Sequence, residues 1–337
     1  MMKSFELCEK IELHLHLEGA ASPSFVKEIC QSSSKQIPKI FDKSGNYNWQ
    51  NFDQFLSIYE VVTNLFLKEE NFEALIRHVL KKQVEENVIY TEIFLGPHLW
   101  SERPTERWER LLNIAKNVAD EYKKNHGIYT YFIIVCIRHL GPEKALEAAQ
   151  FASKVKAKNV VGFGMAGDEK KFKASDFTES FNYAREAGLG LTAHAGEICE
   201  AKSVDEAIQL GVTRIGHGVK SSDSEETIVN LLEKNILLEI CPGSNIALGL
   251  YPSLEEHPVN FLLNKNLPIS ISTDDPPFFA TTLSKEYEDL HNVFGWKEET
   301  FYKINQQSLK FAFCETGLKE KLIQQLQREK NGKFDNY

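Results

Sequence analysis

Eight short runs rich in β-branched, aromatic and leucine side chains recur along the chain, separated by stretches of helical character. They span residues 10–13, 88–95, 129–137, 160–166, 189–195, 214–218, 237–241 and 268–273. Several are apolar throughout, as strands covered on both faces are. Helical patterns over 108–126, 142–154, 176–187, 203–210, 225–234 and 259–265 lie between them. Strands that alternate with helices pair in parallel, and eight such units fit a closed barrel. The competing architecture is a doubly wound open sheet. No Gly-x-Gly-x-x-Gly turn follows any of the runs, so the dinucleotide-binding form of that sheet lacks its fingerprint. The expectation is one (β/α)8 barrel domain over residues 1–337, with additional helices between the first and second strands and at the C-terminus.

The interval 20–86 separates the first two strands. Within it Phe52, Phe55, Tyr59, Val62 and Phe66 recur at three- and four-residue steps, which marks one face of a helix. That face either packs into the core or covers a pocket as an aromatic lid. Residues 71–86 form a second helical stretch, and no Gly-, Pro- or Ser-rich spacer detaches this region. The tail, 319–337, reads as a charged helix that frays near 330–337.

Composition narrows the function classes. The 337 residues are 42% hydrophobic and 26% charged, ordinary for a globular protein with a large core. A net charge of −9 argues against a general nucleic-acid binder, which needs a basic face to displace counterions. The six cysteines are scattered without a Cys-x-x-Cys pair, which suits a reducing compartment and excludes a thiolate zinc site. The first ten residues lack an apolar signal core, and the longest strongly apolar run, 131–137, is far short of the ~18–20 residues a membrane span requires. The chain is expected in the cytoplasm with a small-molecule partner and no nucleic acid or membrane; oligomeric state is not readable.

Polar residues cluster where barrel enzymes build their sites, at the C-terminal ends of strands. His14 and His16 end the first run, Gly167 and Asp168 follow the fourth, and His194 and Glu197 follow the fifth. His217 ends the sixth, and Asp274 with Asp275 end the eighth. Alternate residues of a strand share a face, so His14 and His16 point the same way. His14, His16, His194 and Asp274 together offer three nitrogens and one oxygen, a set suited to one Zn²⁺ with a position left for water. Zinc lowers the pKa of bound water towards about 7. His217 is the extra group that can accept the water proton or orient the nucleophile, and Asp275 is free to engage substrate. Glu197, three residues past His194, is placed to protonate a ring nitrogen. His78, His98, His126, His139, His257 and His291 read as structural or surface residues, with His98 in Gly-Pro-His the one closest to a strand end.

Five segments carry a resemblance. Glu-Leu-His-Leu-His-Leu-Glu-Gly at 12–19, Met-Ala-Gly-Asp-Glu at 165–169, His-Ala-Gly-Glu at 194–197, Arg-Ile-Gly-His-Gly at 214–218 and Ser-Thr-Asp-Asp-Pro at 272–276 resemble the adenosine/adenine deaminase family of the amidohydrolase barrels. The resemblance runs over nearly the whole chain. It implies one zinc on His14, His16, His194 and Asp274, and a purine whose N1 meets Glu197, N3 the backbone of Gly167, and N7 Asp275. His16 and Glu18 also count among the substrate contacts it implies. His217 would deprotonate the attacking water and stabilise the hydroxide, and ammonia would leave from C6.

Two positions separate the branches of that family. Glu18 resembles enzymes acting on free adenine, whereas Thr273 resembles the adenosine branch. The expectation is deamination of adenosine (and 2′-deoxyadenosine) to inosine, in purine salvage, with adenine deamination as the alternative. A non-catalytic purine-binding barrel would predict a substitution among the site residues, and none is present. Two-metal hydrolases with a bridging lysine do not fit, because Lys170 and Lys171 lie beyond the end of the fourth strand. Cysteine-ligated base deaminases do not fit either, since their Pro-Cys-x-x-Cys element is missing.

Overall fold

The computed structural model describes residues 5–32, 36–101, 106–155 and 159–334. Eight strands form one sheet in the order of the chain, every neighbouring pair parallel: β1 (Lys10–His16), β2 (Val88–Leu95), β3 (Tyr129–Ile137), β4 (Val160–Ala166), β5 (Gly190–Ala195), β6 (Arg214–His217), β7 (Leu237–Ile240) and β8 (Ile269–Ile271). A parallel bridge between Leu15 and Asp274 brings the last strand back to the first. There the His16 N–H donates to the Asp274 carbonyl at 3.0 Å, and the Asp274 N–H donates to the His14 carbonyl at 3.1 Å. The result is a (β/α)8 barrel.

The helices follow as α1 (Pro23–Ser32), α2 (Phe52–Thr63), α3 (Glu69–Glu85), α4 (Glu106–His126), α5 (Pro142–Val155), α6 (Thr178–Glu186), α7 (Ala201–Gln209), α8 (Glu225–Glu233), α9 (Pro242–Ala247), α10 (Val259–Asn264), α11 (Leu283–Phe294), α12 (Glu298–Phe311) and α13 (Thr316–Phe334). The additional helices fall where expected, as α1 to α3 before β2 and α11 to α13 after β8. None of the described helices is long and apolar enough to cross a membrane, and among the described residues the cysteines form no disulfide.

Several boundaries differ from the sequence expectation for local reasons. β1 runs through both histidines instead of stopping at Leu13. β6 stops one residue early because Gly218 turns into the left-handed region (φ 68°). β7 gives way at Cys241 to the Pro242 that opens α9. β8 is only three residues long, since the Thr273 N–H donates to Glu12 Oε1 (3.0 Å) rather than to a strand. The tail helix is continuous to Phe334, and residues 335–337 of the expected frayed end lie outside the described residues.

β1 carries a bulge that matters for the site. Glu12 pairs with Thr91 and Leu15 with Ile93, so β1 has one residue more than β2 in this interval. Below it, Ile11 and Leu13 join an apolar floor with Tyr90, Leu237, Leu309 and Leu322. Above it, His14 and His16 face inward, each with its ring against Phe94 at 4.7 and 5.0 Å.

The floor is closed from below by Phe313, in the segment between α12 and α13. Its N–H donates to Glu92 Oε1 (2.6 Å), and its ring lies 3.7 Å from the guanidinium of Arg214. Glycines on β4 and β5 make the room: a Cβ at Gly190 would stand 2.2 Å from that ring. Gly190→Ala is therefore expected to cost ~1–3 kcal/mol through overpacking, and Phe313→Leu in the same chain to recover part of it. Urea unfolding measures both, and an undiminished loss in the double variant would overturn this account of the floor.

Candidate active site

Five strand ends converge at the top of the barrel. The Nε2 atoms of His16 and His194 are 3.2 Å apart, and Asp274 Oδ1 lies 3.3 Å from His16 Nε2 and 3.5 Å from His14 Nε2. His14, His194, His217 and Asp274 each offer a ligand atom within 4.8 Å of the others. His16 joins the same knot through the contacts just given, so all four expected metal ligands and His217 are brought together. The space they share exists because β6 has Gly216 here, where a Cβ would stand 2.8 Å from His14 Cε1 and 3.1 Å from His194 Nδ1. His217 and Asp274 both adopt left-handed backbone (φ 60° and 64°), a conformation that costs non-glycine residues and is concentrated at functional sites.

The outer atoms of these side chains are tied down. His14 Nδ1 pairs with Glu239 Oε2 at 2.8 Å, His194 Nδ1 donates to the Met165 carbonyl at 2.8 Å, and Ser244 Oγ–H donates to Asp274 Oδ2 at 2.7 Å. A carbonyl only accepts, so His194 carries its proton on Nδ1 and presents an Nε2 lone pair inward. His14 Nε2 is buried and has no hydrogen-bond partner. Lone pairs directed at one point, with carboxylate and carbonyl partners behind them, form the donor set a divalent metal requires. The residues fit a zinc.

Glu239 is in turn held by Arg214. Arg214 Nε is 2.6 Å from Glu239 Oε1, Arg214 Nη1 is 2.6 Å from Glu92 Oε2, and all three side chains are fully buried. Burial works to raise the carboxyl of Glu239, but Arg214 and His14 hold it below the usual range.

The carboxyls around the cleft divide by environment. Burial works against the charge of Asp274, yet the imidazoles of His14 and His16 keep it well below the usual range. Glu197, Asp275 and Glu18 have no such cation. Burial, reinforced by Asp274 and Glu169, pushes Glu197 well above it, and burial with Asp274 and Glu197 does the same for Asp275. Glu18 is raised to about 7 by burial, although Trp100 Nε1–H donates to its Oε1 (3.0 Å) and Tyr59 O–H to its Oε2 (3.4 Å). The site thus holds neutral acids beside an ionised one, which is the pairing that proton donation at neutral pH demands.

The cleft above is lined by Phe52, Phe55, Leu56 and Tyr59 of α2, with Gly167 (φ 99°) and Phe279. The aromatic face thus does both jobs, since Val62 and Phe66 continue it into the core. Other readings change. His98 is packed on Trp108 and paired with Glu147, away from the cleft. His139, assigned a structural role by the sequence, lines the cleft just past β3, and its Nδ1 accepts the Asp168 N–H at 3.4 Å. Attention to strand ends would have found it. Asp168 caps its own loop, while the adjacent Glu169 is buried and accepts the N–H groups of Gly196, Ile198 and Cys199 at 2.6–2.9 Å, fixing the turn that carries Glu197. Glu239 had a signal too, as the one charge in the apolar run Leu-Leu-Glu-Ile.

Glu239→Gln is expected to weaken metal affinity ~10–100-fold, the usual cost of losing a partner behind a ligating histidine. Competition with a chelator measures it, and unchanged affinity would show that His14 needs no support from Glu239.

Comparison with known proteins agrees with this geometry. Residues 9–329 match the family described as adenosine deaminase. An adenine deaminase of Agrobacterium fabrum is 36% identical over 318 residues, covering 94% of this chain and 97% of that protein. Another, of Rhizobium rhizogenes, is 34% identical over 320 residues, covering 94% and 98%. Among solved structures, the adenine deaminase of Arthrobacter aurescens has a TM-score of 0.87 at 24% identity, covering 96% of this chain and 99% of that one. An amidohydrolase of Burkholderia ambifaria with bound Zn has a TM-score of 0.87 at 22% identity, covering 98% and 93%. The structural likenesses speak for the barrel and the sequence matches for descent: the chain belongs to the adenosine deaminase family.

Proposed function

We propose that this protein hydrolyses the 6-amino group of free adenine, giving hypoxanthine and ammonia in purine salvage, with one zinc held by His14, His16, His194 and Asp274. The relatives named adenine deaminase support the adenine alternative over the adenosine expected from Thr273. The observation that carries the reading in this chain is Glu18. It is buried in the cleft and gripped on both oxygens, by Trp100 and Tyr59. Free adenine has an N9–H that a carboxylate there can accept. In adenosine N9 bears a ribose, which has no proton to give and must take the space Glu18 fills.

Zinc, when bound, supplies water acidic enough to yield hydroxide near neutral pH. The chain's own residues do the rest. Glu197, kept neutral by burial, protonates N1 and makes C6 electrophilic. Asp275, likewise neutral, has an O–H to donate to N7, and its Oδ1 has no partner in the protein. The Gly167 N–H serves N3. The aromatic face of α2 covers the ring and excludes bulk water, which strengthens each of these contacts.

Loss of absorbance near 265 nm (roughly where 6-aminopurines absorb) with zinc-loaded protein tests the reading. Turnover of adenine well above that of adenosine is expected, and the reverse preference would restore the adenosine reading. A second outcome concerns pH. Glu18 is ionised only above about 7, so kcat/KM for adenine is expected to rise as pH passes up through that value. Glu18→Gln should flatten this limb; an unchanged limb would remove Glu18 from base recognition.

A further inference from the structure

Behind His217 lies a chain of hydrogen bonds that neither the ligand set nor the substrate contacts use. The Val259 N–H donates to His257 Nδ1 (3.1 Å), His257 Nε2 meets Asn245 Oδ1 (3.1 Å), and Asn245 Nδ2 meets His217 Nδ1 (3.2 Å). All three side chains are buried. Asn245 belongs to α9, and Val259 opens α10.

Only one placement of protons satisfies all three contacts. A backbone N–H can only donate, so His257 Nδ1 is an acceptor and its proton sits on Nε2. That N–H requires an acceptor, which fixes the Asn245 amide with its oxygen towards His257 and its NH₂ towards His217. The NH₂ can only donate, so His217 Nδ1 accepts, and the neutral ring carries its proton on Nε2. Reversing the amide would set the His257 N–H against the NH₂, and protonating His217 on Nδ1 would do the same at the other end. The backbone of α10 thus dictates the tautomer of a ring two side chains away.

We infer that His257 and Asn245 are positioning residues that lock His217 as a hydrogen-bond donor towards the reacting centre, so that His217 is neither the base that takes the water proton nor a metal ligand through Nε2. Its Nε2 lies 3.7 Å from Glu197 Oε1 and 3.9 Å from Asp274 Oδ2, where an N–H stabilises negative charge that grows on an attacking oxygen. With no lone pair facing the site, the proton traffic falls to Glu197. It gives its proton to N1 as the water oxygen adds to C6 and the C6–N1 π pair moves onto N1. It takes up the proton that water releases and passes it to the amine as the C6–N bond breaks. It then recovers the last proton from the C6 hydroxyl as the carbonyl forms, and ends as it began.

The tautomer is tested apart from activity. In zinc-loaded protein labelled with ¹⁵N-histidine, long-range ¹H–¹⁵N correlations are expected to show an unprotonated Nδ1 and a protonated Nε2 for both His217 and His257. A proton on Nδ1 of His217, or a metal-bound Nε2, would overturn the inference. The kinetic arm rests on the proposed deamination. Asn245→Asp has no N–H to offer, so His217 must place its proton on Nδ1 and turn a lone pair inwards. A fall of at least ~100-fold in kcat, with zinc content kept and KM little changed, is expected for loss of an oriented donor. His257→Gln, which keeps an amide N–H able to reach Asn245 Oδ1, should retain most of the activity that His257→Phe loses. Wild-type turnover in Asn245→Asp would refute the relay, whereas a wild-type enzyme inactive on 6-aminopurines would refute the proposed function and leave the tautomer measurement standing.

Discussion

Arg214 is the interaction on which the barrel interior depends. A guanidinium with no exposed surface carries a large desolvation cost, and two carboxylates at 2.6 Å are what make it tolerable. Glu92 also accepts the Phe313 N–H, which draws the segment between α12 and α13 up against the strand floor. Glu239 extends in the other direction to His14 and to the hydroxyl of Thr192. One cation thus joins the plug at the bottom of the barrel to the ligand knot at its top. Removing either acid would leave a buried charge uncompensated, so the network stands or falls together.

The electrostatics of the cleft follow from where that positive charge stops. Asp274 sits within reach of imidazoles and remains ionised; Glu18, Glu197 and Asp275 are as deeply buried without a cation and are pushed towards their neutral forms. Four acids packed so closely could not all be charged. The same crowding that would be a defect in a core yields here one carboxylate for a metal and several acids able to donate.

The fold was legible because parallel strands covered on both faces announce themselves as apolar runs, and the ligating residues were legible because they fall at strand ends. What escaped has a common cause. Glu239 meets His14 across 225 positions of sequence, and the partners of His217 come from α9, a six-residue helix that begins at Pro242, and from the start of α10. Short helices carry too few residues to show a period. A residue that acts by orienting another shows no motif of its own. Glu18 was the opposite case: visible from the start, but its meaning depended on Trp100, 82 positions away.

The bulge in β1 carries a last consequence, for how a barrel of this kind can lose its chemistry. Apolar residues and histidines face inward on the two sides of the extra residue because it resets the alternation. Removing a single residue there would restore regular pairing with β2 and turn both imidazoles towards the surrounding helices. The strand order, the floor and most of the core would survive. Descent with a one-codon deletion could therefore leave an intact barrel with nothing at its mouth, and the reading frame of one strand separates an enzyme from a silent fold.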